Sequence, residues 1–213
     1  MAGSKSRSYG AQSRELILQA AQALFAERGL HETSMADIAR AAGLSRATVF
    51  NQFGSKALVL DAITARSLNN YRDLLDRALR DETTATADLL RRLFRQMGHG
   101  LEANRAIYRE VFGEIRKVSM GLDAEGEAPN LRREALVGLV RLMRRGQSRG
   151  EFTAERPAEV LATAFDSLLA GAATHWLHNP QGVPLAELLG DLAEVLLEGI
   201  SVSSARLDDS SRI

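Results

Sequence analysis

Apolar residues recur three and four positions apart along most of this chain, the spacing that places them on one face of an α-helix. No stretch alternates apolar and polar residues over the length of a strand, and all four prolines lie beyond residue 128. The pattern therefore predicts an all-α fold. Between residues 13 and 29 the apolar stripe consists of Ile17, Ala20, Ala21, Leu24 and Phe25.

Start and stop signals divide this pattern into three helices near the N-terminus and six longer ones. The first three are predicted over residues 13–29, 34–43 and 45–53, with Ser34 and Ser45 as caps and Asp37 completing a capping box. An acidic loop is predicted over residues 121–129. The longer helices are predicted over residues 56–80, 85–100, 104–119, 130–149, 158–178 and 185–203.

Residues 34–53, SMADIARAAGLSRATVFNQF, predict a helix-turn-helix. This motif needs a small residue where the helices cross, a glycine in the turn and apolar residues behind the second helix, which Ala39, Gly43 and Val49 supply. A short surface helix of an ordinary bundle is the alternative interpretation. The polar face of the second helix has no acidic residue to repel phosphate and consists of Ser45, Arg46, Thr48, Asn51 and Gln52.

Residues 14–60 resemble the amino-terminal domain of the TetR family of bacterial transcriptional repressors. The matching segments are ILQAAQALFAERG and TSMADIARAAGLSRATVFNQFGSKALVL. The resemblance implies a DNA-binding domain over residues 1–56, which includes a short basic N-terminal arm, and a helical effector-binding and dimerisation domain over residues 57–203. Residues 204–213 are expected to form a polar, frayed tail.

The same resemblance implies a set of DNA contacts. Lys56 matches a phosphate-binding lysine, whereas Phe50 replaces the family's usual tyrosine and therefore lacks a phenolic hydrogen bond to phosphate. The contacts with bases that geometry favours are those of Arg46 with guanine and of Asn51 with adenine. Solvated side chains or local backbone bonds are the ordinary alternatives. The implied DNA-binding residues are Thr33, Ser34, Ser45, Arg46, Ala47, Thr48, Phe50, Asn51, Gln52 and Lys56.

A single recognition helix reads too little DNA to be specific, so a homodimer on a palindromic operator is expected. By resemblance, the last two predicted helices and their dimer mates would form a four-helix bundle. The alternative is that their apolar stripes serve only the core of one chain. The candidate dimer-interface residues are Leu161, Leu168, Leu169, Ala172, Leu188, Leu192, Val195 and Leu196.

The resemblance also implies an effector pocket enclosed by the helices between about residues 57 and 178. Aromatic and methionine side chains suit an apolar or amphipathic small molecule, although the same residues also serve as plain core. No cofactor is expected. The candidate pocket residues are Tyr71, Phe94, Met97, Tyr108, Phe112, Met143, Phe165 and Trp176.

Other chemistries receive little support from the sequence. His175 and His178 lie three positions apart on one helix, but without cysteine or a nearby carboxylate a metal site is not expected. No nucleophile elbow, phosphate-binding glycine loop or pair of catalytic carboxylates marks an enzyme. The sequence thus predicts a ligand-responsive repressor; a helical adaptor that uses the same fold for protein contacts, or an all-α enzyme, is the alternative.

Composition adds a compartment and a charge distribution to this interpretation. The absence of cysteine, of a signal sequence and of an uninterrupted apolar span favours a cytoplasmic protein without a membrane segment. The 27 basic and 27 acidic residues balance, which at first argues against a nucleic-acid partner. Residues 1–56, however, have seven basic and four acidic residues, a net charge of +3, so the DNA-binding segment is basic and the remainder is acidic.

Overall fold

The structure, a computed structural model, describes residues 2–119, 126–179 and 181–201. Within these ranges, pairing of extended segments is limited to one bridge between Phe152 and Ser201. The all-α prediction is therefore confirmed. The helices are α1 (Ala2–Arg28), α2 (Met35–Ala41), α3 (Arg46–Phe53), α4 (Lys56–Arg80), α5 (Thr86–Glu102), α6 (Arg105–Ser119), α7 (Ala128–Ser148), α8 (Ala158–His178) and α9 (Leu185–Ile200).

Most helix ends coincide with the predicted signals. The structure confirms Ser34 and Ser45 as N-caps, and α4 and α8 have the predicted bounds. The largest departure is α1, which begins at Ala2 rather than at residue 13, so the stretch predicted as an arm is helical. The predicted tail, residues 204–213, and most of the predicted loop at 121–129 lie outside the described residues.

The chain divides into two compact units, and the division falls inside α4. Unit 1 comprises residues 1–68 and 104–132, and unit 2 comprises residues 69–103 and 133–213. The units therefore do not divide at residue 56, because α4 is continuous and α6 packs with the N-terminal helices. The functional division into residues 1–56 and 57–203 stays a prediction.

The core of unit 1 places α2 and α3 on a shared apolar base. Its fully buried side chains come from five helices and include Ile17, Ile38, Val49, Val59 and Val111. The buried carboxylate of Asp61 on α4 accepts hydrogen bonds from the N–H groups of Glu127 and Ala128, at 3.0 and 3.3 Å. It thereby caps the start of α7 with a residue far away in sequence.

The core of unit 2 depends on close contact between α5 and α9. Gly98 lies so near α9 that a Cβ atom there would be 2.3 Å from the Cα atom of Ala186. The Glu102 carboxylate accepts a hydrogen bond from the Ala186 N–H at 3.0 Å, and Arg91 forms two hydrogen bonds with Glu194 at 2.5 and 2.9 Å. The carboxylate and guanidinium hydrogen bonds thus hold α9 against α5, and Gly98 allows the two helix backbones to come close together.

Two glycine substitutions on α5 test this packing. Gly98→Ala is expected to lower the free energy of unfolding by about 1–3 kcal/mol, because the new methyl group overlaps the α9 backbone. Gly100→Ala, whose Cβ would meet nothing within 4 Å, is expected to raise it by about 0.5–1 kcal/mol through helix propensity. Urea titrations at equal protein concentration measure both, and stabilisation by both changes would contradict the close approach.

Membrane insertion of a helix finds no support in the structure. Among residues 2–119, 126–179 and 181–201, no helix combines the length and the apolar character that a bilayer crossing requires.

Candidate nucleic-acid interface

The start of α2 is fixed by a reciprocal capping box. The Ser34 hydroxyl accepts the Asp37 N–H at 3.1 Å, and the Asp37 carboxylate accepts the Ser34 N–H at 3.1 Å and its hydroxyl at 2.6 Å. Hydrogen bonds from the Ser34 hydroxyl and N–H lower the pKa of Asp37, as do the guanidinium groups of Arg28 and Arg40. The only carboxylate of this motif is therefore held by its own protein partners, and Ser34 remains exposed at the helix start.

The turn between α2 and α3 has the geometry of a Schellman motif. Gly43 has a φ of 68°, in the left-handed region that favours glycine. Its N–H donates to the Arg40 carbonyl at 3.2 Å, and the Leu44 N–H donates to the Ala39 carbonyl at 3.0 Å. These two bonds satisfy the last carbonyls of α2 and set the direction in which α3 leaves the turn.

Helix α3 divides cleanly into a buried face and an exposed face. Val49 and Phe53 are buried in the core of unit 1. Four residues are exposed on the other face, the last three of them one, four and five positions after the first: Arg46, Ala47, Phe50 and Asn51. This exposed surface, which we call the reading face, carries a forked cation, a methyl group, an aromatic ring and an amide, and it contains no acidic side chain.

The reading face offers free hydrogen-bonding groups. Within the described residues, Arg46 and Asn51 make no hydrogen bond or ion pair that would occupy their side chains. Ser45 and Thr48 differ, because the Ser45 oxygen accepts the Thr48 N–H at 3.0 Å and lies 2.8 Å from the Thr48 hydroxyl. Arg46 and Asn51 are thus the side chains whose donors and acceptors are available to base edges.

The C-terminal end of α3 is supported by a contact that the sequence pattern did not reveal. The guanidinium carbon of Arg14 on α1 lies 4.4 Å from the centroid of the Phe53 ring. A cation over an aromatic face at this distance is attractive by about 0.5–1 kcal/mol at an exposed site. Gln52 of α3 is half-buried and lies near α1. Its Nε2 atom is 3.9 Å from the position that a Cβ atom on Gly10 would occupy.

The Lys56 side chain is bonded to carbonyl groups of the protein in the structure. Its Nζ atom donates to the carbonyl oxygens of Leu30, Thr33 and His31, at 2.6, 2.8 and 3.3 Å. An ammonium group has three protons, and all three are directed to protein carbonyls in this arrangement. In the structure Lys56 therefore ties the start of α4 to the loop before α2, and its contact with phosphate stays a prediction.

Thr33, by contrast with Ser34, is buried, and its contact with DNA stays a prediction. Its side chain is buried, and its hydroxyl donates to the Gly29 carbonyl at 2.9 Å. A buried hydroxyl with an internal acceptor is not on the surface that would face a DNA groove. Of the two residues predicted to open α2 onto DNA, Ser34 is the exposed one.

The comparison with known families rests on this same region of unit 1. The model for bacterial regulatory proteins of the tetR family matches residues 17–63, which contain α2, the Schellman turn and the reading face. This chain belongs to the TetR family.

Relatives of the whole chain agree with this membership of the TetR family. The HTH-type transcriptional regulator TtgR of Pseudomonas putida is 29% identical over 200 residues, which cover 90% of this chain and 91% of TtgR. The structure of SmeT, the repressor of the Stenotrophomonas maltophilia multidrug efflux pump SmeDEF, covers 90% of this chain and 91% of its own at 24% identity and a TM-score of 0.74. The protein is thus a DNA-binding transcriptional regulator.

A second similar structure, that of a TetR-family repressor, contains a ligand. Thermus thermophilus FadR, a TetR-family transcriptional repressor, is in complex with lauroyl-CoA. It is 26% identical to this chain, and the alignment covers 90% of this chain and 96% of FadR at a TM-score of 0.62.

The residues predicted for the dimer interface of this TetR-family regulator separate into two groups. Leu161, Leu169 and Ala172 are buried within the chain's own core. The other five are at least partly exposed: Leu168 on α8 and Leu188, Leu192, Val195 and Leu196 on α9. Val195 has the highest exposure of the large apolar side chains described, at 66%. Leu188, Leu192 and Val195 share one face of α9, and their place in a dimer interface stays a prediction.

The predicted effector-pocket residues are divided between the two units. Tyr108 and Phe112 lie in unit 1, with ring centroids 6.0 Å apart. In unit 2, Phe94 and Phe165 pack at 5.6 Å between centroids, and they are buried together with Tyr71, Met143 and Trp176, while Met97 is half-buried. Their positions fit core packing, so a role in effector binding stays a prediction.

The two neighbouring histidines on α8 are exposed and bonded locally. His178 Nδ1 lies 2.7 Å from the Thr174 carbonyl, and the Asn179 amide donates to the His175 carbonyl at 2.8 Å. Within the described residues, no three His, Asp or Glu side chains gather as a metal site.

Proposed function

We propose that this TetR-family regulator is a homodimeric repressor that binds a palindromic operator through the reading face of α3. The observation that carries the proposal is the pair of exposed side chains Arg46 and Asn51, which have no partner among the described residues and lie on a helix whose other face is buried. Both side chains suit bidentate hydrogen bonding to bases in a major groove, guanine for arginine and adenine for asparagine. The basic charge of residues 1–56 adds attraction to phosphate.

Dimerisation and effector response complete the proposal. Two reading faces must lie about 34 Å apart to enter successive major grooves, so a small change in their separation lowers affinity for the operator. An effector that binds the mismatched arrangement more tightly by about 1.4 kcal/mol shifts the equilibrium tenfold. The lauroyl-CoA complex of FadR supports a small-molecule effector, and we propose an apolar or amphipathic one. Because a bacterial repressor acts on DNA in the cytoplasm, we propose a cytoplasmic location for the protein.

Selection of bound sequences from random DNA tests this function. Purified protein is expected to enrich an inverted repeat whose half-sites are centred about one helical turn apart, because two symmetric reading faces contact the duplex. The enriched sequence should also be bound in a gel shift at physiological salt, whereas a scrambled duplex of equal length should not. Enrichment of no sequence would contradict the proposed function, and enrichment of a single, unrepeated half-site would contradict the dimer.

A further inference from the structure

A cleft of about 390 Å³ lies between the C-terminal part of α4 and helix α5, entirely within unit 2. Its volume is within the range of small-molecule sites, roughly 300–1,000 Å³. None of the eight residues predicted for the effector pocket lines it. The lining residues are Leu74, Arg77, Ala78, Asp81, Leu89, Arg92, Leu93 and Gln96.

Two cations at the cleft have no protein partner among the residues that the structure describes. Arg77 and Arg92 are exposed and, within the described residues, form no ion pair or hydrogen bond through their guanidinium groups. Neighbouring arginines behave differently, since Arg91 is bonded to Glu194 at 2.5 and 2.9 Å and Arg72 to Glu134 at 3.1 Å. Within the described residues, the guanidinium donors of Arg77 and Arg92 are therefore available to a ligand at the cleft.

The one acidic residue of the cleft is engaged by its own loop. The Asp81 carboxylate accepts hydrogen bonds from the N–H and hydroxyl groups of Thr83 at 3.1 and 3.0 Å, and from those of Thr84 at 3.0 and 2.7 Å. These bonds, those of Thr84 above all, hold the pKa of Asp81 far below its ordinary value. Asp81 lies just after α4, four residues beyond Arg77, but no ion pair joins the two in the described part of the chain, so both guanidinium groups stay available.

The base of the cleft is apolar. Ala78, Leu89 and Leu93 are buried, and Leu74 is half-buried at the edge. The Gln96 amide adds a neutral hydrogen-bonding group at the rim. An apolar base with two forked cations and one amide at its rim matches a molecule that is apolar at one end and anionic at the other.

We propose that this cleft binds a small amphipathic anion, with its apolar body on Leu74, Leu89 and Leu93 and its carboxylate at Arg77 and Arg92. Arginine suits this role because its planar donors can hold a carboxylate through two parallel bonds. The binding is a property of unit 2 and is measured without DNA. Its failure would therefore leave the proposed operator binding untouched, and the reverse also holds.

Calorimetric titration of the full chain with decanoate tests the ligand class. Decanoate is expected to bind below its micelle concentration, whereas decyltrimethylammonium, with an alkyl chain one carbon longer and the opposite charge, should bind at least tenfold more weakly. Octanoate should bind about tenfold more weakly than decanoate, because two methylene groups are lost from the apolar contact. Equal binding of the anionic and cationic amphiphiles, or no binding of decanoate, would overturn the proposal.

Matched variants then place the site. Arg77→Gln and Arg92→Gln are each expected to weaken decanoate binding about threefold, and the double variant about tenfold, as for partly exposed charge contacts. Arg80→Gln and Arg95→Gln remove exposed arginines of the same helices outside the cleft and should change the affinity less than twofold. Leu74→Gln should weaken binding through the apolar end. Wild-type affinity in the double variant, with an unchanged melting temperature, would place the anion elsewhere and overturn the assignment.

Discussion

Arg46→Ala and Asn51→Ala are each expected to remove most of the sequence preference of this regulator and to leave its fold intact. A good bidentate contact discriminates against the wrong base by about 1–3 kcal/mol, and a symmetric dimer loses it twice, so the loss is about 2–6 kcal/mol per substitution. Both side chains are exposed and unpartnered within the described residues, so little stability should be lost. Gel shifts on the selected operator and on a scrambled duplex measure the ratio of affinities.

A matched arginine separates base reading from general charge. Arg109→Ala removes an exposed arginine of α6 in the same unit, so it lowers the net charge equally without changing the reading face. It should weaken binding to both duplexes by a similar, small factor at a given salt concentration. If Arg109→Ala and Arg46→Ala changed the affinity ratio equally, the reading face would not be the specificity surface.

Val195→Asp is expected to convert the proposed dimer to a monomer and to weaken operator binding by about a hundredfold or more. In a symmetric interface the new carboxylate faces its own copy or an apolar surface, and either arrangement is unfavourable when buried. Separate monomers also lose the high effective concentration of the second reading face, which is worth about 10²–10⁴ in affinity. Light scattering after size-exclusion chromatography gives the mass, and gel shifts give the affinity.

Val137→Asp is the control for this dimer prediction. Val137 lies on α7 and is 53% exposed, close to the 66% of Val195, but it is outside the predicted interface. The Val137→Asp protein should remain dimeric and bind the operator as the unaltered protein does. A dimeric Val195→Asp protein, or dissociation caused by Val137→Asp instead, would show that α9 is not the interface.

The sequence predicted the helices well because their signals are local. For α2, a capping serine, an apolar stripe and a terminal glycine all lie within a few residues of the helix ends, at Ser34 and Gly43. The start of α1 was predicted wrongly, because Ser13 resembles a helix start and the stretch before it is polar. In the structure the helix begins at Ala2. The residues before Ser13 are compatible with a helix but have no apolar stripe, so the spacing of apolar residues does not reveal a helix there.

The site was predictable where it depends on one helix and unpredictable where it depends on several. The exposure of Arg46 and Asn51 follows from the burial of Val49 and Phe53 on the same short helix. The hydrogen bonds from Lys56 to carbonyl groups 23 to 26 residues earlier, by contrast, depend on tertiary packing that no local pattern encodes.

The apolar stripes of the last two helices show the same limit. Helix α8 is apolar on most of its surface, so spacing alone could not say that Leu161 and Leu169 face the chain's own core. On α9 the partly exposed face was among the predicted residues, because Leu188, Leu192 and Val195 recur at helical spacing. Which of two apolar faces meets a partner is decided by the neighbouring helices.

Helix α3 is fixed at both ends before any DNA is present. The Schellman turn and the Ser45 cap hold its start, and the Arg14 guanidinium over the Phe53 ring holds its end. The backbone freedom of the reading face is therefore lost when the protein folds and not when it binds. An operator then meets a preorganised surface, and the free energy of its base contacts goes into affinity and discrimination instead of ordering a mobile helix.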